Sequence, residues 1–249
     1  MSAIKLEKLN KTYPGDPPVQ ALSSVDLEVQ PGEFVALLGP SGCGKSTLLN
    51  LIAGFEKASG GLLQVHGNGV EKPGPDRGVV FQEAALFPWL TVWENVIFGP
   101  KTQGMPAKDY EDRAHKMLRI VGLSDFKKHL PVQLSGGMRQ RVGIARILTL
   151  GSQVLLMDEP FGALDAQTRL SMQELLLSVW QQLKPTIVFV THDIDEALFL
   201  ADTVYVMSAR PGRIQARLNV ALTRPRSIED TTSESFNAMK REILRQIRH

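Results

Sequence analysis

A glycine-rich segment at residues 39–46 constrains the fold of this chain more than any other part of it. It reads Gly-Pro-Ser-Gly-Cys-Gly-Lys-Ser and fits the phosphate-binding pattern G-x-x-x-x-G-K-[ST]. An apolar run, Phe34–Leu38, precedes it, and a helical run at 47–52 follows it. Glycines let the backbone N–H groups of such a loop face phosphates, and the helix N-terminus adds favourable dipole charge. The segment predicts a nucleotide site on an α/β sheet, and a simple glycine-rich turn is the alternative.

The loop and the first helical residues after it are the candidate phosphate ligands. Within them, we expect Lys45 to reach the β- and γ-phosphates and Ser46 to bind Mg²⁺. Cys43 is the only cysteine, which excludes an intrachain disulfide. The predicted ATP-binding residues of this segment are Gly39, Pro40, Ser41, Gly42, Cys43, Gly44, Lys45, Ser46 and Thr47.

Two further apolar runs, at 154–157 and 186–190, also predict buried parallel strands. Both are continuously apolar rather than alternating, as expected for a sheet that is covered on both faces. Asp158 and Glu159 follow the first of these runs directly. A carboxylate at a strand tip suits Mg²⁺ binding, and we predict that Glu159 orients and deprotonates the attacking water. Acids that merely cap a strand end are the alternative.

Shorter apolar pieces predict a second, antiparallel sheet at the edge of the core. They lie at 4–9, 27–29 and 62–65, and we expect turns at 60–61 and 67–69, where glycines are frequent.

The middle of the chain has helical patterns and few strand runs. We therefore predict one domain over 1–249, with an α/β core at 1–85 and 152–249 and an inserted helical subdomain at about 86–151. After Pro211 we predict a short strand and a final basic helix that ends near Arg248.

Composition excludes several other classes of protein. The formal net charge is +2, with no long cationic run, so nucleic-acid binding gains no support. No apolar run approaches the roughly 20 residues that span a bilayer, and the first residues lack the apolar core of a signal peptide. We expect a cytoplasmic chain, so that any pore would belong to other chains.

A second predicted anion site begins at Ser135, which is followed by Gly136 and Gly137. Serine is a good N-cap, and the two glycines expose the backbone of a helix start. An ATP molecule bound to this chain would already have the phosphate loop at 39–46. The economical explanation is that this second segment binds the γ-phosphate of a nucleotide that another copy of the chain holds.

This segment resembles the signature of the ABC transporter ATPases, and the resemblance continues in the family's order over nearly the whole chain. It implies a P-loop NTPase (RecA-like) core and a head-to-tail dimer, in which two copies enclose two ATP molecules and Ser135, Gly136 and Gly137 contact the opposite one. Met138 departs from the commonest pattern, which has glutamine there.

The resemblance also implies roles for four further residues. Tyr13 matches the aromatic residue that stacks on adenine, although an ordinary edge aromatic is the alternative. Gln82 matches the Q-loop glutamine, which links Mg²⁺ and water to the membrane partner. Asp165 matches the D-loop, which couples the two sites, and His192 matches the switch histidine at the γ-phosphate. The expected Mg²⁺ ligands are Ser46, Gln82 and Asp158.

The segments 76–82, 86–96 and 160–166 resemble importer ATPases of the nitrate, sulfonate and taurine group. This implies transmembrane permease subunits, indirectly a periplasmic solute-binding protein, and a peripheral position at the cytoplasmic face of the inner membrane. Phe87, Trp89 and Trp93 lie where the family's ATPases grip the permease; packing within the helical subdomain is the alternative, above all for Trp93.

Three other functions remain open from the sequence. They are a soluble ABC-type ATPase without a transport role, the ATPase of an exporter, and a P-loop kinase with an acceptor substrate. Soluble relatives usually carry two cassettes or long coiled-coil insertions, and neither pattern is present in this sequence. The signature segment argues against the kinase. The solute is not encoded here, because its selection belongs to the binding protein and the permease.

Overall fold

The computed structural model describes residues 2–247. Contacts divide the chain into two compact units, one made of 1–74 and 184–249 and the other of Pro75–Leu183. The predicted helical subdomain, at about 86–151, lies within the second unit, which also contains the strands and helix on either side of it. Its exact bounds stay a prediction.

Strands and helices alternate along much of the chain. The strands are β1 (Ile4–Tyr13), β2 (Val19–Val29), β3 (Phe34–Leu38), β4 (Gly60–Val65), β5 (Asn68–Gly69), β6 (Arg77–Val80), β7 (Val154–Asp158), β8 (Thr186–Thr191), β9 (Thr203–Met207) and β10 (Ile214–Asn219). The α-helices are α1 (Lys45–Ala53), α2 (Val92–Thr102), α3 (Ala107–Ile120), α4 (Gly136–Leu150), α5 (Ala166–Leu183), α6 (Ile194–Leu200) and α7 (Glu234–Ile247). Short 3₁₀ helices span Ser124–Phe126, Pro131–Gln133 and Ile228–Thr232.

The central sheet of the first unit has the strand order β10-β9-β3-β8. Strand β3 pairs in parallel with both β8 and β9, and every residue of these three strands is buried. The continuous apolar runs cause this, because a strand covered on both faces has no solvent side on which to place polar residues. The predictions for β3, β7 and β8 are confirmed, and so is the short strand after Pro211. The final helix is confirmed as α7; its predicted end at Arg248 lies outside the described residues.

The second sheet of the first unit is antiparallel, in the order β2-β1-β4-β5, which confirms the predicted edge sheet. The predicted turn at Gly60 and Gly61 is wrong, because both residues belong to β4. Gly61 has φ +90°, and a Cβ there would lie 2.3 Å from the carbonyl oxygen of Lys8. Glycine is needed there because the backbone of β1 comes close to β4 where the register of the two strands is irregular, and not because the chain turns.

The second unit combines a parallel strand pair with helices. Strands β6 and β7 run in parallel, and α2 and α3 both pack against α4. Helix α2 begins with a reciprocal capping box, in which Thr91 accepts from the Glu94 N–H and the Glu94 carboxylate accepts from the Thr91 N–H. Helix α3 buries Tyr110, Ala114, Met117 and Leu118 at the spacing of one helical face. No helix within residues 2–247 combines the length and apolar character that crossing a bilayer requires.

A buried arginine caps the C-terminal end of α6 in the first unit. Arg226 is 7% exposed, and its Nη1 donates to the carbonyl oxygens of Leu198, Phe199 and Ala201 at 3.0, 3.1 and 2.7 Å. Burial, with the neighbouring charge of Arg224, lowers the pKa of Arg226 to about 10, so the group remains a cation at neutral pH. The last carbonyls of a helix lack intrahelical donors and carry its negative dipole end, so a cation here is stabilising.

Replacing this arginine tests its contribution to stability. Arg226→Met removes the guanidinium and leaves several carbonyls without their donor, so we expect the free energy of unfolding to fall by about 3 kcal/mol. The measurement is urea unfolding followed by circular dichroism. The matched control is Arg245→Met, an exposed residue of α7 that pairs with Glu242 at the surface. A loss below about 0.5 kcal/mol for Arg226→Met would contradict the assignment.

Candidate nucleotide site

The predicted phosphate loop lies between β3 and α1 in the first unit. A Cβ on Gly39 would lie 2.8 Å from Cys43 Sγ, and one on Gly44 would lie 2.8 Å from Leu22 Cδ2. Gly44 also has φ +100° and is the N-cap of α1, so it has no side chain with which to cap the helix. The loop therefore brings bare backbone and the positive end of α1 to one place, which is the arrangement that binds anions.

Lys45 supports the loop from inside. It is 5% exposed, and its Nζ donates to the carbonyl oxygens of Gly39 and Pro40 at 2.8 and 3.0 Å. Cys43 is 1% exposed, and its Sγ lies 4.0 Å from the same Nζ. Ser41, Gly42 and Ser46 are exposed. The motif cation and the thiol thus lie beneath an accessible loop surface.

Tyr13, at the end of β1, lies beside the helix that follows the loop. Its hydroxyl donates to Glu56 Oε1 at 2.9 Å and lies 3.5 Å from Thr47 Oγ1. The Lys11 Nζ lies 4.7 Å from the centre of the Tyr13 ring and forms an ion pair with Glu56 at 2.9 Å. Burial raises the pKa of Tyr13. Burial also acts to raise the pKa of Glu56, but hydrogen bonds from Tyr13 and Lys11 outweigh it and leave that pKa lowered.

His192 is exposed and directly follows β8. In the parallel β3–β8 pair Leu38 is opposite Thr191, so the phosphate loop and His192 leave the sheet at the same edge. The turn that carries His192 is held on both sides. Thr191 Oγ1 donates to the buried carboxylate of Glu196 at 2.5 Å, and Asp193 Oδ1 accepts from two N–H groups at the start of α6.

The predicted acids of the second unit, Asp158 and Glu159, also lie where a parallel strand ends. Strand β6 pairs in parallel with β7, with Val80 opposite Met157, so Gln82 and the two acids leave the pair at one edge. Asp158 and Glu159 are half-buried, and Gln82 is exposed. Glu159 has φ +43°, in the left-handed region that non-glycine residues rarely adopt. Backbone strain of this kind costs about 1–3 kcal/mol and clusters at active sites.

The signature segment and the D-loop are in contact within the second unit. Ser135 caps α4 by accepting from the Met138 N–H at 3.3 Å. A Cβ on Gly137 would lie 2.6 Å from Thr168 Cγ2, which leaves room only for glycine. Asp165 Oδ1 accepts from the Thr168 N–H at 3.0 Å, and hydrogen bonds from Thr168 lower the pKa of Asp165.

A cavity of about 570 Å³ links these segments. Gln82 from the Q-loop, Gly136 from the signature and Leu164 from the D-loop all line it. The second unit thus gathers three of the predicted functional segments around one cleft, and the first unit gathers Tyr13, the phosphate loop and His192.

Sequence reasoning missed the residues that hold these groups in place. Glu56 binds Tyr13, Glu196 binds Thr191, and Arg210 lies on the phosphate loop. Glu196 had only a weak signal, since it and Asp195 are two adjacent charged residues in a helix that is otherwise apolar. Glu56 and Arg210 had none, because each acts on a strand or loop far away in sequence.

A phosphate loop between a buried parallel strand and a helix, with two acids at the end of another parallel strand, is typical of P-loop ATPases. The ABC transporter family profile matches residues 22–162, which is more than half of the chain. The chain therefore belongs to the ABC transporter family, and it binds and hydrolyses ATP.

Similarity to individual proteins of known family supports the same assignment. The chain is 48% identical to the nitrate import ATP-binding protein NrtD of Synechocystis sp., over 96% of this chain and 89% of that one. It is 50% identical to the taurine import ATP-binding protein TauB of Rhizobium johnstonii, over 93% of this chain and 90% of that one. Among solved structures, a dimeric ATP-binding cassette in a post-hydrolysis state with ADP and Pi matches with a TM-score of 0.75 and 33% identity, over 88% of this chain and all of that one.

Proposed function

We propose that the chain is the ATPase subunit of an importer, and that it powers uptake of a small solute such as nitrate, a sulfonate or taurine across the inner membrane. One observation carries this proposal. The chain is about half identical, over more than nine tenths of its length, to ATP-binding proteins named for nitrate and taurine import. A soluble ATPase of the family and an exporter ATPase are the alternatives.

In this proposal ATP is bound by the first unit through Tyr13 and the phosphate loop. Tyr13 stacks on adenine, and its hydrogen bond to Glu56 fixes the ring beside α1. The N–H groups of the loop and the start of α1 receive the phosphates, and Lys45 supplies a positive charge. The loop surface at Ser41 and Gly42 is accessible, as this binding requires.

The proposed Mg²⁺ ligands are chemically suited to that ion. Ser46 offers a hydroxyl, Gln82 an amide oxygen and Asp158 a carboxylate, and Mg²⁺ prefers hard oxygen donors of these kinds. When bound, the ion would neutralise charge on the β- and γ-phosphates.

For hydrolysis we propose that Glu159 is the general base, which orients a water and takes its proton. His192 contacts the γ-phosphate, and Gln82 senses the state of the site. The left-handed backbone of Glu159 and the two-sided support of the His192 turn favour these roles, because a catalytic group must be held in one geometry.

A second copy of the chain completes each site in this proposal. Ser135, Gly136 and Gly137 bind the γ-phosphate of the ATP that the other copy holds, and Asp165 couples the two sites. The close packing of Gly137 on Thr168, next to Asp165, supports coupled movement of these two segments. The solved dimeric cassette supports the same assembly.

The surface that we propose for the permease is an aromatic cluster made of Phe87, Trp89 and Phe98. The Phe87 ring lies 4.4 Å from Phe98 and 5.8 Å from Trp89 between centroids, and Trp89 is 72% exposed. Exposed tryptophan is a frequent interface anchor. Trp93 instead stacks on His115 at 4.5 Å, which favours packing within its own unit. Such a partner places the chain at the cytoplasmic face of the membrane, and a periplasmic solute-binding protein would act through the permease.

A pull-down from native membranes tests the importer proposal. We expect the tagged chain to recover a permease and a solute-binding protein, which can then be screened for its solute. Trp89→Ala should reduce recovery of the permease while ATPase activity in solution stays normal. The matched control is Phe55→Ala, an exposed aromatic residue that lies in the first unit rather than in the second. Recovery of only soluble partners, with ATPase activity intact, would overturn the importer role and leave the family assignment standing.

A further inference from the structure

An arginine outside every predicted motif lies on the phosphate loop. Arg210 belongs to the turn between β9 and β10, and its Nε donates to the carbonyl oxygen of Gly42 at 2.9 Å. The guanidinium also covers the Cα of Gly42, since a Cβ there would lie 3.4 Å from Nη2. Gly42 is at the exposed part of the loop and has φ +76°.

Backbone hydrogen bonds fix the turn that carries Arg210. The fold therefore determines which part of the phosphate loop its side chain contacts. Gly212 donates to the carbonyl of Ala21 at 2.9 Å and accepts from the Ser23 N–H at 3.0 Å. A Cβ on Gly212 would lie 2.1 Å from the carbonyl oxygen of Cys43, so only glycine permits this approach to the phosphate loop. On the other side of Arg210, the Ser208 N–H donates to the carbonyl of Arg213 at 3.0 Å.

The hydrogen bond from Arg210 determines which way one peptide group of the loop faces. In a planar trans peptide the C=O and the following N–H point in opposite directions. With the Gly42 carbonyl held on the guanidinium, the Cys43 N–H faces the other way and donates to the Pro40 carbonyl at 3.3 Å. Lys45 Nζ donates to that same carbonyl, so the peptide that Arg210 orients belongs to the turn that also holds the motif lysine.

We propose that Arg210 is a positioning residue for ATP binding, which holds the Gly42–Cys43 peptide and so preserves the Pro40–Cys43 turn of the phosphate loop. Without the arginine, glycine at 42 allows the peptide to rotate, which breaks the hydrogen bond from Cys43 to Pro40 and changes the shape of the loop that receives the phosphates. The cation also adds attraction for the polyphosphate. The proposal rests on ATP binding by the loop and is independent of the importer assignment.

The test is the affinity for Mg-ATP of Arg210→Ala, measured with a fluorescent ATP analogue, together with steady-state ATPase kinetics. Loss of one charge-assisted hydrogen bond predicts an affinity about tenfold weaker. KM should rise by a similar factor while kcat stays within about twofold, because the loop holds substrate and transition state alike. Arg210 is exposed, so the melting temperature should stay unchanged.

Two further variants make the test specific. Arg210→Lys keeps the charge but lacks Nε, and we expect it to restore about half of the lost binding free energy. Arg213→Ala, an exposed arginine three residues away, is the control for general loss of positive charge and should bind ATP as the wild type does. Unchanged affinity in Arg210→Ala, an equal loss in Arg213→Ala, or a fall in kcat at constant KM would each overturn the proposal. Should Arg210→Ala be unstable, Arg210→Lys carries the test, and wild-type affinity there would overturn it.

Discussion

Glu159→Gln is expected to lower ATP turnover by about 10²–10³-fold while ATP binding is retained. Glutamine has nearly the same shape as glutamate but cannot accept a proton from water, so the chemical step loses the base that we propose for it. Because hydrolysis is what reopens the proposed dimer, the variant should accumulate as a closed dimer with ATP. Phosphate release measures the turnover, and gel filtration with and without ATP measures the dimer.

The backbone at Glu159 makes this substitution informative. The residue has φ +43°, and a change of side-chain shape or branching would alter the strain there. Glutamine keeps both shape and backbone preference, so a loss of turnover reports on the carboxylate. Glu174→Gln, an exposed glutamate on α5, is the matched control and should hydrolyse ATP normally. If Glu159→Gln turns over ATP at the wild-type rate, Glu159 is not the base.

Lys45→Ala is expected to weaken ATP binding on the order of 100-fold and to reduce hydrolysis with it. Two losses combine in this variant. The positive charge proposed to contact the β- and γ-phosphates disappears, and the carbonyl oxygens of Gly39 and Pro40 lose the donor that braces the loop. Isothermal titration with Mg-ATP measures the first effect, and phosphate release measures the second.

The control for this experiment is Lys57→Ala, an exposed lysine shortly after α1. It should bind and hydrolyse ATP as the wild type does. A Lys45→Ala variant that kept its affinity within about threefold, and lost turnover only, would show that the lysine acts in the transition state rather than in binding. The binding role proposed for Lys45 would then be wrong.

Much of the fold could be predicted from the sequence because its signals are local. The phosphate loop lies between an apolar strand and a helix, and each of these features is visible within about ten residues of the next. The same holds for Ser135, whose role as N-cap of α4 follows from its own side chain and the helical run after it. Strands β3, β7 and β8 were predictable because continuous burial leaves a continuous apolar run.

The positions of glycines were only partly predictable. Gly60 and Gly61 look like turn residues in sequence, but the structure places them in β4, where Gly61 permits contact with the backbone of Lys8. Gly137 and Gly212 are similar, since a side chain at either would collide with Thr168 or with the Cys43 carbonyl. Whether a glycine serves a turn or a close approach depends on what lies opposite, and only the packed structure contains that information.

The class of this protein could be predicted from its residues alone, because the chemistry of ATP binding needs particular residues at short, fixed spacings. The side chains that hold those residues in place were found only in the folded chain. Arg210 reaches a loop 168 positions away, and Arg226 closes a helix 25 to 28 positions before it. Such contacts follow from strand order and chain crossing, so no local pattern of residues encodes them.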